Sequence, residues 1–197
     1  MTTVIGLFER QADAEQVIDE LERSGFDKTT IGILARDRFL NERMVGGDPV
    51  LEDTAQGIAG GAAVGGLTGL LAGAVALAVP GIGPILAAGT LATLVGSTAA
   101  GAGIGAVAGG VIGALTGLGV SEEEAEIYAE GIKRGGVLIA VETLPEQVGQ
   151  IWQIMRRMNA VDINTRRAEW EQSGWTRFEE DKDPDEDNPR FTDYPRV

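Results

Sequence analysis

Glycine at every fourth position is the feature that most restricts what this chain can become. Gly57, Gly61, Gly65, Gly69 and Gly73 form one row, and Gly101, Gly105, Gly109, Gly113 and Gly117 form a second. A glycine inside a helix costs about 1 kcal/mol relative to alanine. Two rows of five therefore need a structural return. Residues four apart share one helical face, and a row of glycines there makes a groove in which a second backbone can lie. Both rows fall inside residues 54–121, which carry no charged side chain. The pattern predicts two helical arms that pack closely on each other or on a second copy.

The rest of the chain is charged and acidic. The net charge is −14 and the pI is near 4.4. Nucleic acid is excluded as a partner, because its phosphates require clustered Lys and Arg, and attraction to anionic lipid headgroups is weak for the same reason. There is no cysteine and no histidine. The commonest general base, the commonest metal ligand and the thiol nucleophile are all missing. The first residues, Met1 to Glu9, have neither a basic segment nor a long apolar one, so a secretory signal is not expected. The α+β part is expected in the cytoplasm, with the inner membrane as the site of any anchoring.

Hydrophobic periodicity places two β-α-β halves on either side of the glycine-rich block. Residues 3–8 read as a strand, 11–24 as a helix with Ala14, Val17, Ile18 and Leu21 on one face, and 29–35 as a second strand. After the block, Ser121 with Glu124 forms a capping-box signature for a helix over 122–134, and residues 136–142 read as a strand. Thr143 with Glu146 suggests a second capping box for a helix over 144–158, with Val148, Ile151, Trp152, Met155 and Met158 facing the core. Residues 160–164 read as a final strand. The fold class expected is α+β: a ferredoxin-like βαβ–βαβ sandwich split by a Gly/Ala-rich helical hairpin. The parts are a first half over 1–45, the hairpin over 51–118, a helix and second half over 121–166, and an acidic tail with aromatics over 167–197.

The hairpin has a first arm over about 51–79, a turn at Pro80, Gly81, Gly83 and Pro84, and a second arm over about 85–118 that kinks near 96–103. Each arm holds a stretch long enough to cross a bilayer. Against spanning, no aromatic residue lies between Phe39 and Tyr128, and the turn carries no polar side chain. The alternative is a pair of small-residue helices buried between subunits of a soluble assembly, a ring or shell, since a lone apolar hairpin would leave a large patch in water. Both readings give the chain itself as partner; lipid is a partner only in the first.

The order of these motifs resembles a known family. A β-α-β start is followed by a Gly/Ala hairpin around Val79-Pro80-Gly81-Ile82-Gly83-Pro84, then Gly119-Val120-Ser121-Glu122-Glu123-Glu124-Ala125, Tyr128 with Gly131, and Arg134-Gly135-Gly136-Val137-Leu138. This resembles the bacterial general-stress and heat- or low-temperature-induced proteins with a glycine-zipper insertion. Trp170 and Gly174-Trp175-Thr176-Arg177-Phe178 are similar to tails in that group. The resemblance implies a non-enzymatic stress protein, often membrane-bound, and supplies no active site to carry over.

Tests for chemistry return little. None of the four serines sits in a Gly-x-Ser-x-Gly elbow, and no phosphate-binding Gly-x-x-x-x-Gly-Lys motif exists. Asp181, Asp183, Asp185 and Asp187 alternate as in a calcium loop, but Glu186 and Thr192 stand where Gly and Glu are required. No cofactor and no metal are assigned. Trp170 and Trp175 are expected to pack the tail onto a domain or a neighbour, with a place at a membrane interface as the alternative. Gly6 and Gly32, inside strands, permit close approach of another group, which keeps a small-ligand-sensing role as a further alternative.

Overall fold

A computed structural model describes residues 1–36, 74–79, 81–101 and 110–179. The elements in order are β1 (Thr2–Phe8), α1 (Gln11–Arg23), β2 (Ile31–Arg36), β3 (Val75–Val79), β4 (Gly83–Gly89), α2 (Thr90–Gly101), α3 (Gly110–Gly117), α4 (Glu122–Lys133), β5 (Val137–Thr143), α5 (Val148–Arg157) and α6 (Ile163–Gln172). The fold is α+β; the described residues form a five-stranded antiparallel sheet and six helices.

The sheet order is β1-β5-β2-β4-β3. β5 lies between β1 and β2, pairing antiparallel with each, for example Val141 with Val4 on one side and Ile31 on the other. β1 and β2 therefore run parallel with one strand between them, joined through α1. The strands are apolar on both faces, and each face has its own core. Val4, Phe8, Ile31, Ile33, Val137, Ile139 and Val141 face α1 and α5 with Val17, Ile18, Leu21, Ile151, Ile154 and Met155. Ile5, Leu7, Leu34, Leu138 and Ala140 face the other way, into a core with Leu91, Val95, Val111, Leu115, Ile127, Ile132 and Trp170. This alternation is the two-residue period of a strand buried on both sides.

Local chemistry sets the helix ends. α1 stops where Gly25 takes φ +90 and Phe26 N–H returns to Leu21 O at 3.0 Å, a Schellman closure. α4 starts on the capping box foreseen: Ser121 Oγ accepts from Glu124 N–H, and the Glu124 carboxylate accepts from Ser121 N–H.

Four expectations need correction. First, the described part of the insertion is not a helical hairpin. Val75–Val79 and Gly83–Gly89 are paired strands that extend the sheet beyond β2, with Val79 opposite Gly83 and Leu77 opposite Ile85. The turn is there but joins strands: Ile82 N–H donates to Val79 O at 3.1 Å, Gly81 has φ +73 and Gly83 φ +87, while Pro84 belongs to β4. Pro80 lies outside the described residues. Among the described residues of the insertion helix begins at Thr90, and the second arm is helical over α2 and α3.

Second, residues 160–164 form no strand. Asp162 caps α6, its carboxylate accepting from Asn164 and Thr165 N–H, so the chain turns helical where a fourth ferredoxin-type strand was expected. One ladder-like bond remains, from Val161 N–H to Leu7 O at 2.8 Å. Third, Thr143 does not cap a helix. It is the last residue of β5, opposite Thr2, and its hydroxyl donates to Gln147 Oε1. A 3-10 turn over Pro145–Gln147 leads into α5 instead. Fourth, Trp152 is 39 % exposed, and Ile154 takes a core position on α5.

Candidate functional site

The densest group of buried charge lies where α4 ends. Glu130, Lys133 and Arg134 are all buried, as is Arg36 at the end of β2. In a chain with net charge −14, three buried cations side by side require compensation. Each has it. Arg134 Nε donates to Glu130 Oε1 at 2.8 Å, one helical turn back. Its guanidinium also lies over the Trp170 ring, 4.7 Å from the centroid. Arg36 Nη1 donates to Lys133 O at 3.0 Å, so a cation sits on the last carbonyls of α4, where the helix dipole favours it. Lys133 Nζ donates to Glu179 O at 3.1 Å and lies 5.3 Å from the Phe178 ring centroid.

The C-terminal segment closes this group. α6 brings Trp170 to full burial. Gly174 takes φ +96, a backbone region that residues with a Cβ rarely adopt, and Trp175 N–H returns to Trp170 O at 2.9 Å. The turn sets the two indoles edge to face, 5.8 Å apart at 66°. Residues onward to Glu179 then reach Lys133. A second anchor lies at the start of α6, where Arg166 bonds Glu169 Oε2 at 2.6 Å and also Glu9, after β1. The tail boundary expected near 167 thus falls inside a docked helix, and the expected packing role of Trp170 and Trp175 is observed. Asp181, Asp183, Asp185 and Asp187 lie outside the described residues.

Arranged this way, the group is a clamp. Its charges are committed to one another, to helix carbonyls and to aromatic faces. Tyr128, nearby on α4, is buried, and burial pushes its hydroxyl up to about 12, with the Glu124 charge adding to the effect. It stays protonated at neutral pH and serves as a packing group. Among the described residues no three His, Cys, Asp or Glu side chains are grouped to hold a metal ion.

The glycine positions divide. Gly57, Gly61, Gly65, Gly69, Gly73, Gly105 and Gly109 lie outside the described residues, and Gly101 ends α2. Gly113 and Gly117 are one turn apart on α3, and no described atom comes within 4 Å of a Cβ placed on either. The opposite face of α3 is buried through Val111, Ala114 and Leu115. The strand glycines do permit close approach, but to the chain's own elements. A Cβ on Gly32 would stand 2.5 Å from Thr90 Oγ1 at the start of α2, and one on Gly6 would stand 2.9 Å from Met155 Sδ.

The model of one family, described as the heat induced stress protein YflT domain, matches residues 3–82. Over these residues the chain is similar to a heat-induced stress-protein domain. The resemblance to a bacterial general-stress family read from the sequence therefore stands. The stress-protein match takes in β1, α1, β2 and β3 and ends at the turn before β4; the clamp around Arg134 follows it in the chain. Neither the curated proteins nor the solved structures give a match.

Proposed function

We propose that the chain is a non-enzymatic, stress-related structural protein whose copies associate through the charge-free insertion. The stress role follows from the family match over residues 3–82. Association is supported by the glycine side of α3. Gly113 is half-buried and Gly117 exposed, and among the described residues no atom lies within 4 Å of a Cβ placed on either, while the other face of the helix is in the core; such a small-residue face accommodates a second helix closely. Charge favours the same region, because two copies at −14 each repel one another least where residues 54–121 carry no charge. The absence of His and Cys from the sequence supports a role without catalysis. In this reading β1, α1, β2, β5 and α5 are a ferredoxin-like unit that carries the insertion.

The proposal assigns the insertion to protein contacts rather than to lipid. Val95, Val111, Ala114 and Leu115, on α2 and α3, are buried in the chain's own core. Among the described residues no helix is long and apolar enough to cross a membrane. The test is light scattering on the full chain without detergent, with Gly113→Leu plus Gly117→Leu as the variant. A concentration-dependent multimer that the variant reduces to smaller species is expected. A wild-type protein that stays monomeric at all concentrations overturns the proposal.

A further inference from the structure

The outermost strand of the sheet, β3, has the properties of an interface. No described strand lies beyond it. Its pairing with β4 decides which backbone groups remain available. Ala78 stands opposite Pro84, which has no N–H, so this pair cannot exchange two hydrogen bonds. Doubly bonded and non-bonded pairs alternate along an antiparallel ladder. The bonded pairs of the hairpin are therefore Val79 with Gly83, Leu77 with Ile85 and Val75 with Ala87, and the N–H and C=O groups of Ala76 and Ala78 turn outward. Both alanines are exposed.

Proteins normally protect such an edge with charge, proline or a covering element. The far edge of the sheet is covered at one point, where Val161 N–H occupies Leu7 O. β3 has neither charge nor proline, and among the described residues no strand covers it. Its sequence, Val75-Ala76-Leu77-Ala78-Val79, reads the same in both directions.

Such an edge, uncharged and free of proline, suits a second copy of itself, and the palindrome makes the facing residues alike. We infer that β3 pairs antiparallel with β3 of a second copy about a two-fold axis at Leu77, joining two sheets into one. In this register Ala76 stands opposite Ala78 of the second copy, and Ala78 opposite its Ala76. These are the residues whose backbone groups face outward, so both pairs are doubly bonded. Val75 stands opposite Val79 of the second copy and Leu77 opposite Leu77, completing an isologous contact in which the same patch serves both subunits. The acidic charge of the two chains does not oppose it locally, because the nearest charged residues in sequence are Asp53 and Glu122. The inference rests on the self-association reading and names a contact for it that does not involve the glycine rows.

The register makes the test specific. Ala76→Lys with Ala78→Lys puts like charges directly opposite each other in both pairs, and Ala76→Lys with Ala78→Glu puts opposite charges there. Sedimentation equilibrium of the full chain compares both variants with wild type, and circular dichroism checks that each is folded. The Lys/Lys variant is expected to weaken the dimer at least tenfold, with the Lys/Glu variant returning to within a few-fold of wild type. Association that survives in the Lys/Lys variant overturns the β3 contact alone. Equal loss in both variants overturns the Leu77-centred register. A monomeric wild type overturns both this contact and the self-association reading.

Discussion

Trp170→Ala should be the most damaging single truncation in the C-terminal segment. The indole is fully buried, and a tryptophan buries roughly 150–250 Å². At about 25 cal/mol per Å² of apolar surface, and allowing for what alanine retains, the transfer loss is about 4 kcal/mol. This agrees with about 3–5 kcal/mol seen for large aromatic-to-alanine changes in cores. The edge-to-face contact with Trp175 and the Arg134 guanidinium over the ring would also go. Urea unfolding followed by circular dichroism measures the change. With an m-value of about 2 kcal/mol/M, the midpoint should fall by about 2 M with the slope unchanged. Trp152→Ala is the matched control. The same side chain at 39 % exposure on α5 keeps only part of that burial and should cost about 2 kcal/mol by the same arithmetic. If Trp170→Ala costs no more than Trp152→Ala, α6 does not unfold with the rest of the domain, and the clamp is not part of the cooperative core.

Glu130→Ala removes a carboxylate bound to the buried Arg134 guanidinium, and should destabilise by about 3 kcal/mol or more, measured by the same urea midpoint. Ser121→Ala deletes the capping box of α4 and should cost about 1 kcal/mol, read as a lower melting temperature. Tyr128 gives a pH signature. Its hydroxyl lies at about 12 in the folded chain against 10.0 for the free group. The unfolded state therefore loses its proton first as pH rises. The associated stability is intact below about pH 10 and lost between about pH 10 and 12, amounting to roughly 2–3 kcal/mol over two pH units. Tyr128→Phe should flatten that limb of the stability–pH profile, and an unchanged limb would assign it to another group.

Legibility in the sequence followed the strength of local signals. β1, α1, β5 and α4 were readable because period and cap agreed, as with Ser121 and Glu124 at the start of α4. β3 and β4 were not. Val-Ala-Leu-Ala-Val and Ile-Leu-Ala-Ala have no polar residue to mark a period of two or of 3.6, and a Pro-Gly turn serves strands and helices alike. The absent fourth strand had a visible cause that competed with the apolar Val161 and Ile163: Asp162 is a good N-cap, and it prevailed. The clamp was only half visible. Trp170 and Trp175 announced packing, while the burial of Arg36, Lys133 and Arg134 depends on elements far apart in sequence meeting at one helix end.

The insertion is better understood from the sheet it covers than from its own glycines. Val137-Leu138-Ile139-Ala140-Val141 is an unbroken apolar run, and such a strand is stable only when both faces are covered. α1 and α5 cover one face. The other needs an apolar layer, and the charge-free block between the two halves supplies it through Leu91, Val95, Val111, Ala114 and Leu115, with α4 and Trp170 completing the layer. Close approach at the join depends on Gly89, which takes φ +63 and where a Cβ would stand 1.9 Å from Ile31 O. An insertion committed to this face cannot also give its α2 and α3 core residues to lipid. Among the described residues, what it still presents outward is the glycine side of α3 and the edge of β3 beyond which no described strand lies. The physical case for self-association rests on those two surfaces, and they can be tested separately.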